Sequence, residues 1–132
     1  MGAWGLGSFE NDTALDWVFG FENSKDFSLI EDALDVVPGL ELDADEGSRA
    51  IAAAEIVAAL IGRGRANDEL PEEVAAWLPT VQSLDARSLR GMAVQALDAV
   101  LSQDSELREL WAETEDFEAW KGDVEALKAL LV

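Results

Sequence analysis

"AIAAAEIVAALI", residues 50–61, carries one polar side chain, Glu55, in twelve positions. Alanine is the best helix former, and no glycine or proline interrupts the run. A helix that is apolar nearly all round is one that other elements surround. The stretch therefore predicts a central helix over about 46–62 and an all-α domain packed around it. Its small or polar side runs through Ser48, Ala52, Glu55, Ala59 and Gly62. That side either faces water or lets a neighbouring helix come close. "GRGRAND", residues 62–68, reads as the loop that follows.

Helical spacing continues on both sides of this run. Upstream, Ala14, Trp17, Val18 and Phe21 fall at i, i+3, i+4 and i+7, which is one face of a helix. Asn11 or Asp12 is its expected cap, and Gly20 weakens its end. A second helix is expected over about 24–37, with Phe27, Ile30, Leu34 and Val37 inward and Pro38-Gly39 as its stop. Leu40 and Leu42 alternate with acids in a short extended link.

Downstream, Pro71 suits a first helical turn, with Glu72 and Glu73 near the positive end. That short helix carries Val74, Trp77 and Leu78 and ends before Pro79. A helix over about 85–102 has Asp85 as its cap. Leu89, Met92, Ala93, Ala96, Leu97, Val100 and Leu101 keep its spacing. Ser105 or Asp104 caps a segment with Leu107, Leu110 and Trp111. The last segment holds Phe117, Trp120, Val124, Leu127 and Leu131, and Gly122 is a candidate kink. No strand and no internal repeat is expected. The reading is a single all-α domain over residues 1–132. It is a compact bundle of about six or seven helices behind an irregular Gly/Trp-rich lead-in.

Composition narrows the chemistry. Cysteine, histidine and tyrosine are absent. Disulfides, thiol nucleophiles, the usual neutral-pH proton shuttle and the common zinc ligands are therefore missing. No apolar run reaches the length of a membrane span, and no basic-then-apolar leader is visible, so a cytoplasmic protein is expected. The 28 acidic and 9 basic residues give a net charge of -19. With hydrophobic content at 49% this is a folded domain with an acidic shell and not a disordered tail. Such a shell repels nucleic acid and anionic membranes and favours basic partners or plain solubility. Residues 1–46 hold twelve acids and one base, Lys25, whereas residues 101–132 hold nine acids and three bases. If these two ends meet in the fold, they create one negative face.

No phosphate loop, dinucleotide loop or nucleophile elbow is present. "DADEG", residues 43–47, fails as a calcium loop: its glycine falls one place early and Ala54 stands at the twelfth position. A helix cap is the better reading. Asp12 and Asp16 are four apart on one helix face and can share a hard cation, but both also fit a cap and a first turn. Glu55 is either a desolvated acid or base, a water-facing group, or one half of an ion pair with Arg49, Arg63, Arg87 or Arg90. Most tryptophans fall on apolar stripes and read as core. Trp4 lies outside any periodic segment, so it plugs the core or faces a partner.

"MGAWGLGSFENDTALDW", residues 1–17, is similar to the start of the bacterial family named domain of unknown function 4259. Members of that family begin M-G-x-W-G-x-G-x-F-x-N-D-x-A-x-D-W. They also carry an A-x-A-A-A-E helix like residues 50–55 and a late Leu-Trp pair like Leu110-Trp111. The resemblance spans most of the chain and implies one small bacterial cytosolic domain. It brings no catalytic residues with it. The motif also has a purely structural account. Its glycines allow tight turns, Trp4 and Phe9 pin the lead-in, and Asn11 and Asp12 satisfy helix-start N–H groups. The alternative is a surface site built around Trp4, Asn11, Asp12 and Asp16.

The expectation is a non-enzymatic acidic interaction module that covers a basic protein partner, as an immunity-type or inhibitor protein does. No catalytic residue, metal or cofactor is assigned. Candidate binding residues are Trp4, Asn11, Asp12, Asp16 and Glu55. The alternatives are a divalent-metal protein or hydrolase using Asp12, Asp16 and Glu55, and a nucleic-acid mimic.

Overall fold

Asp43 starts the central helix. In the computed structural model, which describes residues 5, 7–36, 41–65 and 70–132, its carboxylate accepts from the Glu46 N–H at 2.7 Å. Glu46 in turn accepts from the Asp43 N–H at 3.3 Å. This reciprocal capping box satisfies two donors that no helix can satisfy internally, so "DADEG" is a helix start. The helix, α3, runs Ala44–Leu60, two residues ahead of the expected bounds. Every residue from Ala50 to Ala58 is buried. Its small side is closed off as well: Ser48, Ala52 and Glu55 are all buried. Neighbouring segments cover that side as far as Glu55, whereas Ala59 is half-buried and Gly62 is exposed.

The end of α3 is equally determined. Gly62 takes φ +78°, the one positive φ among the described residues. Its N–H donates to the Ala59 carbonyl at 3.2 Å, and the Arg63 N–H donates to that of Ala58 at 2.7 Å. This pair of bonds is a Schellman motif, and it needs a left-handed residue that glycine adopts without strain. The chain turns back over the helix it has just left.

Six further α-helices accompany α3 among the described residues. They are α1 (Asp12–Val18), α2 (Ser28–Leu34), α4 (Glu72–Trp77), α5 (Arg87–Val100), α6 (Glu106–Ala112) and α7 (Phe117–Leu131). Two 3₁₀ turns, Phe19–Asn23 and Leu78–Val81, extend α1 and α4. The broadest packing is α3 on α5; α1, α2, α6 and α7 also lie against α3. One core cluster draws on all seven helices, including Val18, Ile30, Ile56, Val74, Leu97, Trp111 and Leu127. Burying each large apolar side chain contributes about 1.5–3 kcal/mol.

Several expected boundaries shift for local reasons. The stretch expected as one helix over 24–37 divides. Ser24 is extended, and Asp26 accepts from both the N–H and the hydroxyl of Ser28, at 3.0 and 2.7 Å. That side-chain turn competes with helix and delays the start to Ser28. Val37, Leu40 and the Pro38-Gly39 stop lie outside the described residues. Pro71 stands at the cap of α4 and not inside its first turn. Asp85 holds the Arg87 N–H at 3.0 Å from one residue outside the cap, which is Ala86. Ser105 caps α6 by accepting from the Arg108 N–H at 3.2 Å, as expected. Leu42 forms a single parallel bridge with Ser105, too short to be a strand.

Helix α7 passes through Gly122 without a break. Gly122 is exposed, and a Cβ built there would meet no atom within 4 Å. Gly122→Ala is therefore expected to stabilise the fold by about 0.5–1 kcal/mol, the usual cost of glycine in a helix. Thermal unfolding should show a higher Tm. A lower one would mean that α7 depends on glycine to bend.

Candidate functional site

Glu55 is the one buried carboxylate among the described residues, with 2% of its surface exposed. Burying a carboxylate is costly unless it is paired and hydrogen-bonded. Both conditions are met. Arg65 donates from Nε to Oε1 at 3.1 Å and from Nη2 to Oε2 at 2.7 Å. This two-pronged geometry is the one a planar guanidinium matches best. The Ser8 hydroxyl donates to Oε2 at 2.8 Å. On its other side Arg65 donates from Nη1 to Asp123 Oδ1 at 2.6 Å. Burial pulls the Arg65 pKa down, but the hydrogen bonds and charges of Glu55 and Asp123 outweigh it and hold the pKa above its ordinary value.

Four distant segments thus meet at one node: the lead-in, α3, the loop after α3, and α7. The guanidinium is Arg65 and not Arg49, Arg63, Arg87 or Arg90. Arg65 follows the Gly62 reversal, which carries it ten residues back along α3. Arg63 and Arg90 have another task. They donate to the carbonyls of Leu130, Val132 and Leu131, as cations do at the negative end of a helix. Arg87 pairs with Asp85 at 2.8 Å, and Lys128 pairs with Asp98 at 2.6 Å. Arg108 sits 5.7 Å over the Phe117 ring.

The Asp85 pair has a pH signature. Hydrogen bonds from the Arg87 side chain, then from its backbone N–H, lower the Asp85 pKa from 3.8 to about 2. The stabilisation from a depressed carboxylate is present above 3.8 and is lost as pH falls from there through about 2. An NMR titration should place the Asp85 midpoint near 2, and Arg87→Ala should move it up toward 3.8. An unmoved midpoint would remove Arg87 as the cause.

The other sequence candidates separate. Asn11 caps α1 by accepting from the Ala14 N–H at 2.8 Å. Asp12 and Asp16 are exposed on α1, whereas Glu55 is enclosed at the node, so the three carboxylates do not converge. Among the described residues no group of three or more His, Cys, Asp or Glu side chains is placed to hold a metal ion. Trp4 lies outside the described residues. Trp77, Trp111 and Trp120 are core, and Trp17 packs against it.

Two surface features emerge that sequence reading did not locate. The first follows from the Leu42–Ser105 bridge. Leu42 donates to the Asp104 carbonyl at 3.0 Å and accepts from the Glu106 N–H at 2.9 Å. Glu41 thereby joins Asp104, Glu106 and Glu109 around a groove of about 210 Å³. Acids from the two ends of the chain do meet. The second is a cavity of about 40 Å³ beneath the lead-in, where Ser8 and Asn11 face α3, Trp111 and Trp120. It draws on the same stretch, residues 5–11, that gives the sequence its most distinctive motif.

Among the described residues no helix is long and apolar enough to cross a membrane. No curated protein and no solved structure matches the chain. A family match does exist, and it spans residues 2–123, from the glycine-rich lead-in through the Asp123 end of the Glu55 node. The chain belongs to the family described as Domain of unknown function (DUF4259).

Proposed function

We propose that this domain is a non-enzymatic interaction module that covers a basic site on a partner protein, in the manner of an immunity-type or inhibitor protein acting in the cytoplasm. The observation that carries the reading is the acidic groove at the Leu42–Ser105 bridge. There Glu41, Asp104, Glu106 and Glu109 converge on a chain of net charge -19. The placement of the cations supports it. Arg65, Arg63 and Arg90 are turned onto internal acceptors, and among the described residues no salt bridge involves Glu41, Asp104, Glu106 or Glu109. A negative face of this kind accelerates encounter with a positive partner and disfavours like-charged ones.

The test is a pull-down from the native host at low and high salt, read by mass spectrometry. A variant carrying Glu41→Lys and Glu109→Lys runs beside it. These two residues spare Glu106, whose carboxylate holds the Ala44 N–H at 3.0 Å. The expected result is a basic protein captured at low salt, released at high salt, and not captured by the variant. An empty pull-down, or capture indifferent to both salt and charge reversal, would overturn the reading.

A further inference from the structure

Two buried side-chain N–H groups have no acceptor among the described residues, Trp77 Nε1 and Arg108 Nε. Arg108 holds its guanidinium over the Phe117 ring, so that cation has an aromatic partner. Trp77 is placed differently. It is 2% exposed and forms part of the wall of a groove of about 360 Å³ between α4 and the 3₁₀ turn Phe19–Asn23. Phe21 and Phe27 meet its indole edge-to-face at 4.6 and 6.2 Å, and a ring face is a weak acceptor. A buried donor is ordinarily satisfied. This one lacks an oxygen, and the groove that Trp77 lines is the route by which one arrives.

We propose that this second groove binds a basic peptide segment of the partner protein. A main-chain carbonyl accepts from Trp77 Nε1–H, and a lysine side chain lies among Glu22, Glu72 and Glu73. The proposal rests on the interaction reading above and deepens it with a second anchor, apart from the acidic groove at the Leu42–Ser105 bridge.

The lining selects the occupant's chemistry. Three carboxylates, Glu22, Glu72 and Glu73, and one ammonium, Lys25, border the groove, so negative charge is in excess. None of the four takes part in a salt bridge among the described residues. A cation therefore finds open acceptors here, and an anion meets net repulsion. Glu72 and Glu73 also favour the first turn of α4, which accounts for two of the acids but not for the indole. An indole N–H donates and cannot accept, whereas an ammonium brings donors only. A cation alone thus satisfies the carboxylates and leaves Trp77 unpaired. A carbonyl alone does the reverse. A peptide with a basic side chain supplies both, and the groove's volume falls in the usual range of about 300–1,000 Å³ for bound ligands.

The experiment is an amide and indole NMR titration of the full chain with the tripeptide acetyl-Gly-Lys-Gly-amide. Parallel titrations use n-butylammonium chloride and N-methylacetamide, which carry its cation and its amide separately. The tripeptide should give saturable shifts at the Trp77 indole N–H and at the amides of Glu22, Glu72 and Glu73. The indole proton should move downfield as it gains an acceptor. Each half alone should bind about tenfold more weakly, the loss of one anchor of two. A variant carrying Glu72→Gln and Glu73→Gln should weaken tripeptide binding several-fold. Neither carboxylate makes a salt bridge among the described residues, so the variant keeps the fold. Shifts that do not saturate, an indole proton that stays in place, or equal binding of n-butylammonium would overturn the proposal. A pull-down with the same variants separates the two grooves. Capture should weaken with Glu72→Gln, Glu73→Gln and vanish with Glu41→Lys, Glu109→Lys. Capture unchanged by the first pair would overturn the second anchor and leave the acidic-groove reading standing. An empty pull-down would overturn the partner reading, whereas the titration tests the indole groove with no partner present.

Discussion

Arg65→Met is expected to destabilise the fold by about 3–5 kcal/mol, the range for removing one partner of a buried ion pair. Methionine keeps most of the aliphatic stem, so the loss is chiefly that of the guanidinium. Glu55, at 2% exposure, would keep its burial and lose the two-pronged donor at 2.7 and 3.1 Å. Urea denaturation read by tryptophan fluorescence measures the effect. Two companion variants locate the cause. Asp123→Asn should cost only about 1 kcal/mol, because that carboxylate is partly exposed and well solvated without its partner. The double replacement Glu55→Leu with Arg65→Met should recover most of the loss, since it removes the buried charge together with its counter-ion. If Arg65→Met alone costs under about 1 kcal/mol, the node is wet and Glu55 is not an enclosed charge.

Trp120→Ala is the second large effect, at about 3–5 kcal/mol for deleting a buried tryptophan. Trp120 is 2% exposed. Its ring stacks at 6.1 Å on that of Trp111, with 10° between planes, and lies 6.2 Å from Phe117. Removing it opens a void among α3, α6 and α7 that rigid neighbours cannot close. At roughly 3 °C per kcal/mol for a chain of this size, Tm should fall by about 10 °C or more. A fall of only a few degrees would show that α7 can slide in to fill the space. Trp17→Ala gives the contrast: Trp17 packs against the core from its rim and should cost clearly less.

The all-α architecture was legible because it rests on local physics. The run at 50–61 could only be a surrounded helix, and its burial from Ala50 to Ala58 follows from that composition. The caps at Asn11 and Ser105, each one of two candidates in the sequence, are decisions made within three or four residues, which is why local spacing anticipates them. The second helix was less legible. Ile30 and Leu34 of its expected stripe are buried on α2, but the Asp26–Ser28 side-chain turn competes with helix over the first residues, and an apolar stripe does not register that competition.

The Glu55 node shows the other limit. The sequence leads one to expect an ion pair for Glu55 with Arg49, Arg63, Arg87 or Arg90, whereas the structure pairs it with Arg65. Proximity of charge along a sequence does not encode where a chain goes after a left-handed glycine. The lone acid on an apolar helix, followed by Gly-Arg-Gly-Arg at 62–65, was the available signal. The acidic groove and the cavity needed tertiary structure outright. Each joins residues from opposite ends of the chain, and pairwise adjacency of that kind leaves no periodic trace.

The node's reach has a dynamic consequence. Ser8, Glu55, Arg65 and Asp123 are separate in sequence but share one carboxylate–guanidinium cluster. Segments that share their last barrier to opening exchange their amide hydrogens together. Ser8 lies in a turn ahead of α1 with no helix of its own to protect it. Tied to Glu55, it should borrow the protection of α3 and α7, and the amides near Ser8 should exchange in step with those around Asp123. The Ser8 turn would then be the latch of a cooperative unit, with its own release setting when the helices beneath it become reachable.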